Sequence, residues 1–226
     1  MTLAVQTLSA PEKPVGRIRQ KNKEAIITAA EEEFARHGFK GTSMNTIAQN
    51  VGLPKANLHY YFGSKLELYK AVLLNILELW DSAFDGITAD NDPYEALSSF
   101  IRAKMEFARR HPKASRIYAI EVISGGEILS KMLGQDYRDW FRSRAAVLEA
   151  WQAAGKMDAV DPTHLIFLLW SSTQHYADFA SQISRVTGQA RMTKADFDHA
   201  SDNLVHIILK GCGITPPEKP DALHPA

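Results

Sequence analysis

Residues Lys40–Glu67 read Lys-Gly-Thr-Ser-Met-Asn-Thr-Ile-Ala-Gln-Asn-Val-Gly-Leu-Pro-Lys-Ala-Asn-Leu-His-Tyr-Tyr-Phe-Gly-Ser-Lys-Leu-Glu. Met44, Ile47, Ala48 and Val51 recur at the i, i+3, i+4, i+7 spacing of one apolar helix face. Gly52 can take the positive φ of a tight turn. Pro54 suits that turn or the first position of the next helix, where its missing N–H costs nothing. Leu58 and Phe62 give the second helix an inner face and leave Lys55, Asn57, His59, Tyr60 and Tyr61 outside. A short helix that presents donors and flat rings, held by another short helix, is a helix-turn-helix with the dimensions of a DNA major groove.

Outward from this stretch the chain is uneven in charge. Its 26 Lys or Arg balance 26 Asp or Glu over 226 residues. Residues 1–70, however, hold ten basic and six acidic side chains, so a basic front part precedes a mildly acidic body, as local contact with phosphates requires. The single cysteine, Cys212, excludes an intrachain disulfide and fits a reducing compartment. No run of about 18 apolar residues is present, and the N-terminus has no basic-then-apolar secretory pattern, so the expected location is the cytoplasm, away from the membrane.

The pattern predicts an all-α chain of about nine helices. Residues 1–16 have no periodicity and read as a flexible arm. Residues 17–63 form the helix-turn-helix domain: a first helix from about Ile18 to His37, with Ile26, Ala30 and Phe34 inward and Gly38 at its end, then the two short helices. Residues 64–213 form a larger helical domain. Ser64 and Glu67 make a capping box for a fourth helix, whose apolar positions extend to Ile87, roughly 35 Å at 1.5 Å per residue and long enough to join two lobes. Asp92-Pro93 opens a fifth helix that His111-Pro112 stops. A sixth covers Pro112 to Ile123, and a seventh, marked by Trp140, Phe141, Leu148 and Trp151, ends at Gly155. Asp161-Pro162 caps a helix running to about Val186, and Thr193 with Asp196 starts the last one, which ends near Gly211. Residues 214–226 are Pro-rich and read as a disordered tail.

Amphipathic helices joined by Gly occur in any helical protein, so three further features matter. Arg17, Arg19, Lys21 and Lys23 crowd the start of the first helix. Thr42 and Ser43 precede the second, where hydroxyls and backbone N–H groups can hold a phosphate, and Lys65 follows the third. The string Gly-Phe-x-Gly-Thr, then Gly-Leu-x-x-x-x-Leu-x-Tyr-Tyr-Phe-x-Ser-Lys-x-x-Leu, spanning Gly38 to Leu68, resembles the signature of the TetR family of bacterial transcriptional regulators. The resemblance implies a three-helix DNA-binding domain, a variable helical ligand-binding domain, and a homodimer that binds double-stranded operator DNA, in most members as a repressor. By position it assigns Lys55, Ala56, His59 and Tyr60, with Asn57 nearby, to base reading, and Tyr61, Thr42 and Lys65 to phosphates. Leu58 and Phe62 match core positions. A dimer also follows from geometry, because two recognition helices about one helical turn apart read a palindrome that one cannot. The expected interface is the last two helices: residues 165–170 are apolar all round and read as buried on every side, and Phe197, Leu204, Ile207, Ile208 and Leu209 give the last helix a broad apolar surface.

A second informative stretch is Trp170-Ser-Ser-Thr-Gln-His-Tyr-Ala-Asp-Phe179, where polar side chains interrupt an apolar helix. Trp170, Thr173, Gln174 and Asp178 share one face. Buried amides and hydroxyls need partners, supplied either by the protein or by a ligand. With His164-Leu-Ile-Phe and the run Ala114-Ser-Arg-Ile-Tyr-x-x-Glu121, this stretch is similar to that of family members regulating pyrimidine utilisation, which respond to uracil and thymine. The likeness assigns Trp170, Gln174 and Trp80 to the pocket. A Gln amide can pair with a ring N–H and a neighbouring C=O together. Tyr118 is a further ring-facing candidate, with Glu121 and Asp178 as acceptors for ring N–H. Packing accounts equally well for Trp80 and Tyr118, and a salt bridge to Arg102 or Arg116 for Glu121.

An enzyme is disfavoured. The chain has no His-x-x-x-His, no cysteine pair, no Gly-x-Ser-x-Gly and no phosphate loop, so neither a metal nor a cofactor is expected. The competing readings are a TetR-type regulator with an unrelated small-molecule effector, and a helical module that uses the Tyr-Tyr-Phe helix to dock a protein.

Overall fold

The computed structural model describes residues 14–216. The expected arm lies almost wholly outside the described residues, as does most of the tail. Among the described residues all regular structure is helical: α1 Pro14–Gly41, α2 Met44–Asn50, α3 Lys55–Phe62, α4 Lys65–Asp85, α5 Pro93–Arg110, α6 Pro112–Ile123, α7 Glu127–Ala153, α8 Pro162–Asp178, α9 Ala180–Thr187 and α10 Lys194–Gly211. None of these helices is long and apolar enough to cross a membrane. The chain divides into two compact units, one ending at Leu73 and the other beginning at Leu74, so the division falls inside α4 rather than before it.

In the first unit, Ile26, Ala30 and Phe34 of α1 are buried with Ile47 and Ala48 of α2, Leu58 and Phe62 of α3, and Leu68, Tyr69 and Val72 of α4. The Tyr69 ring stands edge-on to Phe34 at 4.7 Å and lies 5.0 Å from Phe39. The first turns of α4 therefore complete this core, which is why the boundary lies ten residues later than the sequence pattern suggests. α1 starts earlier than expected, at Pro14. It bends at Gly38 (φ 65°), and one further turn carries the chain to Ser43, which caps α2 by accepting from Asn45 N. Gly52 (φ 67°) makes the turn to α3: its N–H donates to Gln49 O at 3.1 Å, and that of Leu53 to Ala48 O at 3.0 Å. A residue with a Cβ is strained in that conformation.

The second unit is built on α5, α8 and α10. Leu97, Ile101 and Met105 of α5 are buried with Ile166 and Leu169 of α8 and Ile208 and Leu209 of α10. Trp151 of α7 is fully enclosed, its indole N–H donating to Ala89 O at 3.1 Å. Arg144 of α7 donates to Phe84 O (3.0 Å) and Ile87 O (3.2 Å), supplying donors to the carbonyls left over at the end of α4. Asp92, Asp161 and Thr193 cap α5, α8 and α10, and the Thr193–Asp196 pair is a reciprocal capping box.

Two breaks depart from the expected pattern. α7 is kinked at Gly134 (φ 50°). The helix expected to run from Pro162 to Val186 is interrupted at Phe179 (φ −109°, ψ 24°), and the α9 segment beyond it has no buried residue. Phe167 and Leu168, expected to be enclosed, are 49% and 48% exposed in the single chain. Ile207 of α10 also points outward, whereas Phe197, Ile208 and Leu209 belong to the core. The expected tail begins too early. Ile214 is buried and bonded to Leu209 O, and Cys212, also buried, accepts from Asp158 N through its carbonyl at 2.8 Å. Burial, then the neighbouring Asp158 carboxylate, pushes the Cys212 thiol above its ordinary pKa.

Gly213 closes that turn with φ 68°, and a Cβ there would lie 2.4 Å from the Asp158 carboxyl group. Gly213→Ala should cost about 1–3 kcal/mol, combining left-handed strain with the displacement of Asp158. A thermal melt should show a midpoint lower by several degrees; an unchanged midpoint would mean that this turn yields freely.

Candidate nucleic-acid interface and ligand cavity

Polar residues of the first unit divide into two groups. Lys55, Ala56, Asn57, His59 and Tyr60 lie along the exposed side of α3, with Tyr60 70% exposed. The Arg19 guanidinium of α1 stands 5.6 Å from the centre of the Tyr60 ring, so α1 brings a cation beside the recognition helix. Ser43, exposed at the start of α2, is the cap that orients those N–H groups. His59 Nδ1 lies 2.8 Å from Gly63 O. A carbonyl only accepts, so Nδ1 carries the proton in this arrangement and Nε2 remains for an outside partner. Arg17 belongs to α1, and its side chain lies outside the described residues.

Other expected phosphate contacts are used internally. Thr42 is buried, its hydroxyl 2.8 Å from Gly38 O and 3.1 Å from Glu33 O. A buried hydroxyl must be paired, and here it ties the segment before α2 to α1. Lys65 Nζ donates to Thr42 O at 3.0 Å and to Lys40 O at 3.4 Å, and sits 4.7 Å from the centre of the Phe39 ring. Its side chain supports the same segment from α4. Tyr61 is half-buried, and its hydroxyl accepts from Asn22 Nδ2 at 3.1 Å. Glu33 of α1 is buried and accepts from Asn50 Nδ2 at 3.0 Å, locking α2 to α1.

The second unit contains a small cavity of about 30 Å³. Its walls are Leu77 and Trp80 of α4, Phe100 and Lys104 of α5, Tyr118 of α6, Tyr137 and Trp140 of α7, and Trp170 and Gln174 of α8. At that size it has room for a water or two, well below the range of small-molecule sites, so a ring enters only if the wall side chains move apart. The four residues Trp80, Tyr118, Trp170 and Gln174 thus share one wall system. Trp80 and Tyr118 meet edge to face at 4.6 Å, and Trp140 stacks near-parallel to Trp170 (12°, 6.4 Å) and to Tyr137 (11°, 5.3 Å). The buried Trp80 Nε1–H has no hydrogen-bond partner among the described residues. A buried donor without an acceptor costs about 1–3 kcal/mol, a cost that a water or a ligand oxygen would relieve.

The remaining candidates lie off this cavity. Thr173 is fully buried, and its hydroxyl donates to Leu169 O of its own helix at 2.7 Å. Glu121 is buried and accepts from Ile128 N at 2.9 Å, tying the end of α6 to the start of α7. Arg102, one of its expected partners, pairs with Asp202 instead, at 2.7 Å. Asp178 accepts from the Ser115 hydroxyl. Sequence reasoning missed Lys104, Tyr137, Trp140, Leu77 and Phe100 as wall residues. Lys104 had a visible signal: it interrupts the stripe Leu97, Phe100, Ile101, Met105, Ala108 on α5. It is only 5% exposed, and its Nζ lies 3.8 Å from the centre of the Trp80 ring.

Comparison with known proteins places both units. Residues 26–72 match the model for bacterial regulatory proteins of the tetR family, and residues 73–215 match that of the YcdC-like protein C-terminal region. The HTH-type transcriptional regulator RutR of Escherichia coli K12 is 40% identical over 189 residues, covering 84% of this chain and 89% of RutR. The HTH-type transcriptional repressor NicS of Pseudomonas putida is 30% identical, covering 69% and 76%. Among solved structures, a transcriptional regulator from Streptomyces coelicolor superposes with a TM-score of 0.68 at 20% identity over 86% of this chain and 99% of its own. AibR, in complex with isovaleryl coenzyme A and operator DNA, does so at 0.64 and 20%, over 82% and 97%. At such identities the two structures establish the fold. The relatives are regulators of transcription, not enzymes.

Burial raises the Asp178 carboxyl above its ordinary pKa, against the opposing effects of the Ser115 hydrogen bond and of Lys104, Arg116 and His175. Between the unfolded and the raised folded pKa, the native chain keeps a proton that the unfolded chain has lost. Stability should therefore fall as pH rises through that window. Asp178→Asn keeps an acceptor for Ser115 and removes the titration. In melts across a pH series, the variant should match the parent at the acid end and gain on it as pH rises; a parent that stays ahead at neutral pH would show a carboxylate stabilised by its neighbours.

Proposed function

The chain belongs to the TetR family of bacterial regulatory proteins, and we propose from that premise that it is a cytoplasmic repressor whose homodimer binds a palindromic operator and is released or retuned by a pyrimidine such as uracil or thymine. The observation that carries the effector reading is the meeting of Trp80, Trp170 and Gln174 around one cavity, in a chain similar to pyrimidine-utilisation regulators. Flat aromatic walls suit a flat ring. The Gln174 amide offers one donor and one acceptor to adjacent ring positions, and the Trp80 N–H offers a second donor to a ring carbonyl.

For DNA, the reading uses the exposed side of α3. Lys55 has the reach to donate to guanine O6 and N7, Tyr60 to pack on a thymine methyl or hold a phosphate, and Arg19 to contact the backbone. The dimer surface is assigned to α8 and α10. Their outward Phe167, Leu168 and Ile207 form apolar area that a second copy would cover. Effector and operator are then linked by population shift: a pyrimidine favours one arrangement of α4, the helix shared by both units, to the extent that it binds that arrangement more tightly.

Isothermal titration with nucleobases, combined with electrophoretic mobility shift on the chain's own upstream sequence, tests this reading. Uracil or thymine should bind and change operator affinity. Operator affinity that is the same with and without saturating pyrimidine would end the regulatory link. Binding should fall steeply with salt, since phosphate contacts release counterions. Gln174→Ala should abolish the pyrimidine response and leave DNA affinity intact. Lys55→Ala should weaken operator binding by about 1–3 kcal/mol and relax the preference at one base pair. Leu168→Glu should shift the dimer toward monomer in light scattering; an unaltered mass would move the interface elsewhere.

A further inference from the structure

Two hydrogen bonds between the same two residues close the end of α3. The Gly63 N–H donates to His59 O at 2.8 Å, and Gly63 O lies 2.8 Å from His59 Nδ1. Gly63 takes φ 59° and ψ −55°, a left-handed backbone open to glycine, and in that conformation its carbonyl meets the imidazole. A carbonyl has only lone pairs to offer, so the contact holds only while Nδ1 bears the proton. The other nitrogen of the neutral ring, Nε2, is then a bare acceptor. It belongs to an exposed side chain of α3, one turn beyond Lys55 and next to Tyr60. The glycine that stops the helix thereby also fixes which hydrogen-bonding character His59 offers to an outside partner.

We propose that His59 is a specificity-determining residue that reads the exocyclic amine of an adenine or a cytosine through Nε2. This rests on the DNA-binding reading of α3 argued above and adds the class of base that one of its side chains selects. In the major groove adenine N6 and cytosine N4 carry donor hydrogens, whereas guanine O6 and thymine O4 only accept. A lone pair at Nε2 matches the first two and meets the lone pairs of the others. It is equally mismatched with a phosphate oxygen, so the neutral ring contributes to sequence preference and not to general affinity. Lys55, which only donates, has the opposite preference one turn away. Along one side of α3 the two residues therefore select opposite chemistry, an accepting base for Lys55 and an amine-bearing base for His59.

Two measurements on the full chain test this, both at a pH at which the nitrogen-15 spectrum shows the ring neutral. In an imidazole nitrogen–proton correlation spectrum of the free protein, with His59→Gln identifying the resonance, the proton should sit on Nδ1. Free histidine side chains favour Nε2, so a proton found there would overturn the proposal. Selection of duplexes from a random-sequence library should yield a consensus with adenine or cytosine at one pair of each half-site, and guanine or thymine in its place should weaken binding about fivefold or more. His59→Ala should lose that preference, keep those at the other pairs and leave the salt dependence of binding unchanged. A salt slope lower by about one would mark His59 as a phosphate contact and overturn the proposal. Should the Ala variant melt early, His59→Gln, whose amide can turn to donate or accept, takes its place and should bind all four bases at that pair alike. A consensus whose every preference survives in these variants would overturn the role of His59 and leave DNA binding by α3 standing. Enrichment of no sequence at all would overturn both.

Discussion

An ammonium group enclosed among aromatic rings is the condition around which the second unit is organised. Lys104 occupies a position on α5 that its neighbours Leu97, Phe100, Ile101 and Met105 mark as core. A charge there is costly unless something answers it. Trp80 answers with its ring face, and Trp80 is in turn set edge-on by Tyr118 and Phe107. The stacked Tyr137, Trp140 and Trp170 on the other walls cannot close over a charged centre as aliphatic side chains would close over one another. A small space lined with rings and polar groups results.

The helix-turn-helix unit obeys a related rule with a different outcome. When α1 bends at Gly38, the backbone of residues 38–42 loses its helical partners. Thr42 and Lys65 restore them, one hydroxyl and one ammonium reaching carbonyls at Gly38, Lys40 and Thr42. Those polar groups are thereby spent on holding the unit together. What remains uncommitted is the outer side of α3 with Lys55, Asn57 and Tyr60, and the exposed cations of α1. On the proposed DNA-binding reading, the supporting and the reading parts of the motif are assembled from different polar residues, so substitutions in the first should act on stability and in the second on affinity.

Much of this was legible from periodicity and punctuation. The turn at Gly52, the caps at Asp92, Asp161 and Thr193, and the stop at His111 all follow from residues that leave few backbone choices. The break at Phe179 was not legible, because no Gly or Pro marks it. The burial of Thr42 was hidden for another reason: a hydroxyl next to a helix start looks the same in sequence whether it faces a phosphate or a carbonyl, and only packing decides. On α8 the pattern correctly placed Trp170 and Gln174 on a polar face, but that face also holds Thr173, whose hydroxyl its own helix satisfies. Trp140 served in the sequence only to mark the seventh helix and Tyr137 was not singled out, because stacked rings at a cavity wall and rings in a packed interior have the same spacing.

Cys212 has a practical consequence. It is the sole sulfhydryl of the chain, it is buried, and its environment disfavours the thiolate that reacts with maleimides and thiosulfonates. A cysteine introduced at an exposed place on α2, such as Gln49, would take a spin label or fluorophore by itself, with no need to mutate the natural background. In the proposed dimer, the separation between labels on two copies would then report directly, in solution and without DNA footprints, whether the helix-turn-helix units move when a candidate effector is added.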